Sequence, residues 1–116
     1  MTAENNESIL QSIKKLLSID SSYTEFDTDI IIHINTILSN LIQMGVGPEE
    51  GFSIEDDSSK WSDFIGNYSK VQQVKTYVYV KVRLLFDPPS NASMIEVLNK
   101  QANELEVRLY TETGGY

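Results

Sequence analysis

The side chains that could do chemistry are few, and their spacing does not assemble a catalytic set. The 116 residues include one histidine, His33, and no cysteine, which excludes thiolate catalysis, disulfides and cysteine metal sites. His33 lies in an apolar stretch, and no Ser–His–Asp or carboxylate–His set can be placed by sequence around it. A lone histidine inside a helix is far more often structural than catalytic. We therefore predict no catalytic residue and no enzyme.

Two segments resemble ligand sites only in part. Residues 45–51 (GVGPEEG) are glycine-rich like a phosphate-binding loop, but they follow a helical pattern, and their two glutamates would repel a phosphate. Residues 55–57 (EDD) could hold a hard cation, yet the spaced ligands and central glycine of a calcium loop are missing. We predict no metal and no cofactor, and we interpret 55–57 as a solvated acidic loop.

The overall charge argues against two classes of partner. The chain has 9 basic and 17 acidic residues, a formal net charge of −8. That balance does not suit a general nucleic-acid binder or a protein that docks on anionic membranes. No apolar run approaches the length of a bilayer span, and the acidic start MTAENNES is unlike a signal peptide. We expect the chain to work in the cytoplasm or to be assembled there.

The charges are segregated along the chain. Residues 70–83 carry four basic side chains with no acid between them, and residues 49–57 carry five carboxylates with no base. A solvated face and a solvated loop would account for this pattern. A head-to-tail contact between copies would account for it equally well, and such contacts close into rings when the rotation permits. The candidate interface residues are Lys75, Lys81 and Arg83 of one copy and Glu49, Glu50, Asp56 and Asp57 of the next.

Apolar periodicity predicts four long helices and one short one in a single domain, 1–116. The long helices cover about 7–17, 28–44, 70–86 and 91–110, the short one covers 60–66, and 1–6 and 111–116 are expected to be flexible tails. Lys14 lies off the centre of the first apolar stripe, near the helix end whose dipole favours cations. Expected caps are Asp27 or Thr28 for the second helix, Ser58 or Ser59 for the short one, and Ser90 or Asn91 for the last.

Residues 70–86 are ambiguous between strand and helix. The alternation of YVYVKVR over 77–83 favours a strand locally. The longer spacing of Val71, Val74, Val78 and Val82 is helical, and an uninterrupted stretch without glycine or proline is ordinary for a helix but long for a strand. The pattern therefore predicts a helix that ends before Pro88.

The apolar stripes of the helices predict a common core, and the loop over residues 45–59 is expected to be mobile. The predicted core residues are Ile30, Ile34, Ile37, Leu41, Val74, Val78, Val82, Leu98 and Leu105. Residues 45–59 form a long loop rich in glycine and acid, which we expect to be mobile in the free protein and ordered on assembly. Phe52 and Ile54 could pin this loop to the body.

Several segments, in order and with the right spacing over about residues 7–110, carry a family resemblance. They are 26–35 (FDTDIIIHIN), 45–48 (GVGP), 50–52 (EGF), 61–66 (WSDFIG) and 74–89 (VKTYVYVKVRLLFDPP), of which the last is the most specific. Together they resemble the head–tail connector, adaptor or head-completion, proteins of long-tailed phages and of prophages in Gram-positive hosts.

The resemblance implies an all-α fold, which also favours a helix at 70–86, and a structural rather than an enzymatic role. It implies a ring of about a dozen copies under the portal after DNA packaging, in the virion neck, with host cytoplasm as the place of assembly. The ring would extend the DNA exit channel and present a platform to the next connector or tail protein. No active-site residue follows from it, and Trp61, Phe64 and Pro88 would be fold determinants.

A different function class remains open on the residues alone. A small helical adaptor or regulator that binds one protein partner through an exposed groove would use the same segregated charges. A hydrolase is disfavoured because no nucleophile–base set exists.

Overall fold

The fold is built from helices packed around α4. The computed structural model describes residues 6–66 and 69–112, which form α1 (Ile9–Leu16), α2 (Asp27–Gln43), α3 (Trp61–Ile65), α4 (Val71–Phe86) and α5 (Ala92–Glu112). Within these residues there is no β-strand, only an isolated antiparallel bridge between Ser8 and Lys60. The predicted all-α class is confirmed. The predicted count of long helices is not, because α1 has only 8 residues.

The predicted tails fall mostly outside this description. Residues 1–5 and 113–116 are not among the described residues, so the expectation for them is not addressed. At the other boundary, α5 continues through Glu112, two residues beyond the predicted end at 110. Helix periodicity predicts a boundary only to within a few residues, because helix ends fray.

Helix α4 takes up the segment whose sequence alternates like a strand. It packs extensively against both α2 and α5, and α1 packs against α2 and α4. Neighbours on several sides bury side chains around much of its circumference, including Tyr77, Val78, Val80 and Val82. Alternating apolar residues are compatible with a helix when it is buried in this way, because no single face has to carry all of them.

All nine predicted core residues are buried, with α2 and α4 supplying the centre. Ile30, Ile34, Leu41, Val74, Val78 and Val82 have no measurable exposed surface, and Ile37, Leu98 and Leu105 are nearly as covered. Trp61 is also fully buried, and its indole N–H donates to Ser12 Oγ at 3.1 Å. That bond fastens α3 to α1, because a buried indole N–H needs a partner.

Two of the three predicted helix caps are wrong. The residue before α2 is Phe26, with no side-chain cap, and Asp27 begins the helix with its carboxylate turned to Lys14 at 2.9 Å. Because Asp27 Oδ1 faces the Lys14 ammonium, it does not accept a hydrogen bond from a backbone N–H of the first turn. The last cap is confirmed: Asn91 Oδ1 accepts from the N–H groups of Ser93 and Met94 at the start of α5.

At α3 the capping position is Lys60 rather than Ser58 or Ser59. The Asp63 carboxylate accepts from the Lys60 N–H at 2.9 Å, which satisfies the helix start without a serine. Ser58 is occupied elsewhere, because its hydroxyl donates to Asp56 at 2.6 Å. The carbonyl of Ser59 accepts from Ile9 N at 2.9 Å, which ties the loop to α1.

The loop over 45–59 is anchored to the body. Ile54 is buried, and its backbone N–H and carbonyl bond the Asn35 side chain at 2.8 and 3.0 Å. The Phe52 ring lies 5.2 Å from the Phe64 ring. Gly47 has φ +101°, and a Cβ there would come within 2.5 Å of that Phe64 ring. Phe52 and Ile54 thus hold the loop to the body, as predicted, and the mobility expected for the rest of the loop stays a prediction.

Candidate subunit interface

The basic residues of α4 do not share one face. Lys75 and Lys81 are separated by six positions, a rotation of about 240°, and Arg83 lies a further rotation of about 200° away. Their partners differ accordingly. Lys75 contacts the segment before α1, Lys81 lies beside α5, and the Arg83 guanidinium donates to the Tyr79 hydroxyl at 3.1 Å.

Lys75 pairs within its own subunit. It is only 8% exposed, and its ammonium bonds Glu7 Oε1 at 2.6 Å. The hydrogen bond from Lys75 lowers the pKa of the Glu7 carboxyl below its ordinary value, against the opposing effect of partial burial. The positive charge of Lys75 therefore holds α4 to the N-terminal segment, and Lys81 and Arg83 remain for a contact with another copy.

Lys81 is partly exposed and sits over the junction of α4 and α5. Its ammonium is 3.9 Å from Glu106 Oε2, and the same oxygen accepts from the Tyr77 hydroxyl at 2.7 Å. Burial and the adjacent Glu106 charge raise the pKa of Tyr77 well above its ordinary value. The Lys81 pair is long, so its side chain can reach outward with little loss of internal bonding.

We call residues 49–57 the acidic loop. Some of its carboxylates already accept hydrogen bonds within the subunit and others do not. Asp56 accepts from the Ser58 hydroxyl and N–H, which lowers the pKa of its carboxyl. Asp57 accepts from Gln11 Nε2 at 3.2 Å. Among the described residues Glu49 and Glu50 are exposed with no side-chain hydrogen bond or ion pair. They are the more available partners for a basic residue of another copy.

The two charged regions lie on different sides of the subunit. Lys81 leaves α4 toward α5, because it approaches Glu106. The acidic loop is fastened to α2 through Asn35 and Ile54. A head-to-tail contact requires this separation, since each copy must present a different surface to each neighbour.

Lys14 lies in the last turn of α1, as predicted, but its burial was not foreseen from the sequence. Lys14 is fully buried, and its ammonium donates to the carbonyls of Ser21 and Tyr23 at 3.2 and 2.7 Å and pairs with Asp27 at 2.9 Å. Two hydrogen bonds and one ion pair surround the ammonium, which is how a buried charge is tolerated. Lys14 thereby holds the loop between α1 and α2.

That loop contributes to a cluster of rings at the surface, which we call the aromatic surface: Tyr23, Phe26, His33 and Phe86. The Phe26 ring centroid lies 5.6 Å from Tyr23 and 5.4 Å from Phe86, and His33 lies 6.4 Å from Phe86. Tyr23 and Phe26 remain 46% and 40% exposed. The sequence signal that could have indicated it is a pair of aromatic residues, Tyr23 and Phe26, in the polar stretch 20–26 (DSSYTEF).

Chemical sites are not assembled in the described part of the chain. No three His, Asp or Glu side chains among the described residues converge in a way that could hold a metal ion. His33 contacts Phe86 through its ring, without a carboxylate or hydroxyl partner among those residues. No helix within 6–66 or 69–112 is long and apolar enough to cross a membrane. What the surface does present is separated charge and exposed aromatic side chains.

A comparison with known protein families shows which family this chain belongs to. The family model described as phage connector protein matches residues 9–115, a range that spans all five helices. The chain belongs to the phage connector protein family. No curated protein and no solved structure gave a significant match. Membership carries a structural, non-enzymatic role in the phage particle at the head–tail junction, in association with portal or tail proteins.

For a connector, the arrangement of charges is the relevant feature of the site. Lys81 and the acidic loop lie on two sides of the subunit. Contacts between subunits and with other phage proteins are the chemistry that such a surface can supply.

Proposed function

We propose that this connector is a structural virion protein that forms a ring below the portal, connects the phage head to the tail and extends the DNA channel. The observation that carries the proposal is the family match across all five helices. The ring would hold about a dozen copies in the virion neck and would be assembled in the host cytoplasm. Its partners would be the portal protein, the next connector or tail protein, and further copies of itself.

The charge of the chain supports this role. A channel that passes DNA should not retain it, and a subunit with net charge −8 repels phosphates. We therefore propose that DNA passes through the ring without specific binding. No cofactor and no membrane enters the proposed function.

The proposed electrostatic contact joins Lys81 of one copy to the acidic loop of the next. Arg83 leaves α4 about 160° around the helix from Lys81, so it is the secondary basic candidate. Glu49 and Glu50 are the first partners of Lys81, because Asp56 already accepts from Ser58, Asp57 accepts from Gln11 of α1, and Lys75 bonds Glu7. Each exposed pair contributes only about 0–1 kcal/mol. Repetition around a closed ring, with the portal as template, would make the sum effective. The free protein would then be monomeric until the template is present.

Light scattering with and without the portal protein tests the proposal. A ring-sized species that forms on the portal and weakens with salt is expected, since exposed pairs are screened within about 10 Å at about 0.1 M ionic strength. Reversal of Lys81 and Arg83 to Glu should abolish it, and added reversal of Glu49 and Glu50 to Lys should partly restore it. A one-to-one complex with a single partner would instead support the small helical adaptor.

A further inference from the structure

Helix α5 has an outer face that nothing in the described residues covers. It packs against α4 through Leu98, Ala102, Leu105 and Leu109, which are all buried. On the other side of the helix Val97 and Val107 are 55% and 66% exposed. Leaving two valine side chains of one helix face in water costs free energy. Exposed apolar side chains that share a face mark interaction surfaces.

The same face carries cations with no partner in the described chain. Lys100 and Arg108, about two turns apart, are exposed and make no side-chain hydrogen bond or ion pair within the described residues. Glu104 and Glu106 lie between them in sequence, so residues 100–108 carry no net charge on a chain of net charge −8, and Glu106 already accepts from Tyr77 and lies near Lys81. We call Val97, Lys100, Val107 and Arg108 the outer face of α5.

The aromatic surface has the complementary character. Its border consists of exposed carboxylates that make no side-chain hydrogen bond or ion pair within the described residues: Glu25, Asp29 and Asp87. Glu25 and Asp87 are neighbours in sequence of Phe26 and Phe86, and Asp29 lies one helical turn after Phe26. Exposed rings with an acidic border suit apolar side chains accompanied by cations, through packing and cation–π contacts.

The two surfaces lie on opposite sides of α4. Tyr77 reaches α5 through its bond to Glu106, and Phe86 reaches the aromatic surface through its contact with Phe26. The nine positions between Tyr77 and Phe86 are about two and a half turns, so the two side chains leave α4 in opposite directions. Surfaces placed in this way can join copies head to tail but cannot both be satisfied in one symmetric dimer contact.

We propose that the outer face of α5 of one copy docks on the aromatic surface of the next copy. Val97 and Val107 would cover the Tyr23 and Phe26 rings, while Lys100 and Arg108 approach the bordering carboxylates. Lys14 keeps the loop in its docking shape before the partner arrives, which lowers the entropy cost of the contact. This contact rests on the proposed ring and supplies its apolar part.

Cysteine cross-linking tests the contact without background, because the native chain has no cysteine. One variant carries Glu25→Cys and Asn103→Cys, both exposed, with Asn103 beside the outer face of α5. The matched control keeps Asn103→Cys and moves the second cysteine to exposed Ser39, ten positions and about 15 Å along α2 from Asp29. Both are treated with a short bis-maleimide, alone and on the portal protein, and light scattering of the same samples reports assembly.

The contact predicts a ladder of covalent multimers for the Glu25→Cys/Asn103→Cys variant and mainly uncross-linked chain for the control. Adding Val97→Ser and Val107→Ser should lower the yield about tenfold. Adding Ile32→Ser, another exposed apolar side chain of α2, should leave it unchanged. Glu104→Gln should raise it, because that carboxylate faces the acidic border.

The outcomes separate the contact from the ring. If light scattering shows assembly but the test and control cysteine pairs cross-link equally, the proposed contact is wrong and the proposed ring stands. Cross-links that ignore the two valine substitutions also overturn it. Absence of any species larger than the single subunit, with or without the portal, overturns the proposed ring and the contact together.

Discussion

The buried ammonium of Lys14 gives the most direct test of how the loop between α1 and α2 is held. Lys14→Met keeps a flexible apolar stem of similar length but removes the charge, its two hydrogen bonds and its ion pair. The hydrogen bonds reach the carbonyls of Ser21 and Tyr23, and the ion pair joins the carboxylate of Asp27. Both carbonyls belong to exposed residues, so water can replace the ammonium there at small cost.

The larger part of the cost comes from Asp27. Its side chain is 23% exposed, so it would lose a cation 2.9 Å away while still mostly out of water. Removing one partner of a buried pair typically costs about 3–5 kcal/mol, and the partial exposure of Asp27 lowers the expectation for Lys14→Met to about 2–4 kcal/mol. Adding Asp27→Asn should recover at least about 1 kcal/mol, since the second change removes the stranded charge.

Urea unfolding followed by far-ultraviolet circular dichroism measures these changes in the free energy of unfolding. Lys15→Met is the matched control, because Lys15 is the exposed neighbour in the same helix. We expect it to change stability by less than about 0.5 kcal/mol. If Lys14→Met costs no more than Lys15→Met, or if Asp27→Asn adds its full cost to that of Lys14→Met, the ion pair does not hold the loop.

Three further predictions concern the core and two titrating contacts. Ile34→Ala should lower the free energy of unfolding by about 2–4 kcal/mol through lost burial and a cavity, whereas exposed Ile32→Ala should have little effect in the same urea titration. The lowered pKa of Glu7 means that its pairing with Lys75 stabilises the fold above the ordinary carboxyl range and is lost as the pH falls. Stability should therefore decrease between about pH 5 and pH 3 more steeply than in Glu7→Gln, and parallel profiles would contradict this. Burial raises the pKa of Tyr77, so its contribution is complete below about pH 10 and is lost at higher pH. Tyr77→Phe should flatten the alkaline limb of the stability profile, and an unchanged limb would refute the assignment.

The helices and the core were predictable because both follow from periodicity. Ile34 and Val78 recur with their neighbours at helical spacing, and burial of that stripe is what stabilises short helices. Asn91 was also predictable as a cap, since it immediately precedes the helix pattern. For the strand-like alternation after Tyr77, length and the absence of helix breakers up to Pro88 favoured a helix, and the family resemblance decided the question.

Features that depend on a distant partner were not predictable in the same way. Lys14 is buried because a loop folds over it and supplies two carbonyls and Asp27, and no local pattern marks that. The same pairing removes Asp27 from the capping role that its position suggested. The residue before α3 is Lys60 rather than a serine. The Asp63 carboxylate accepts from the Lys60 N–H at the start of the helix, so no serine side chain is needed there.

The arrangement of the candidate interface residues was partly predictable from helix geometry. The rotation of about 100° per residue already turns Lys81 away from both Lys75 and Arg83, which lie about 80° apart, although the three charges are close in sequence. The pairing of Lys75 with Glu7 was not readable, because it joins residues 68 positions apart. The ring contacts of Phe26 with Tyr23 and Phe86 likewise need the tertiary fold.

The central claim is that this connector works as a closed ring on the portal. An electron-microscopic reconstruction of the portal protein incubated with this protein tests it most directly. The account predicts a continuous ring of copies coaxial with the portal, with an open centre and with α5 of each copy against the aromatic surface of the next. Single copies bound at separate sites on the portal, or a portal left bare at saturating protein, would contradict it.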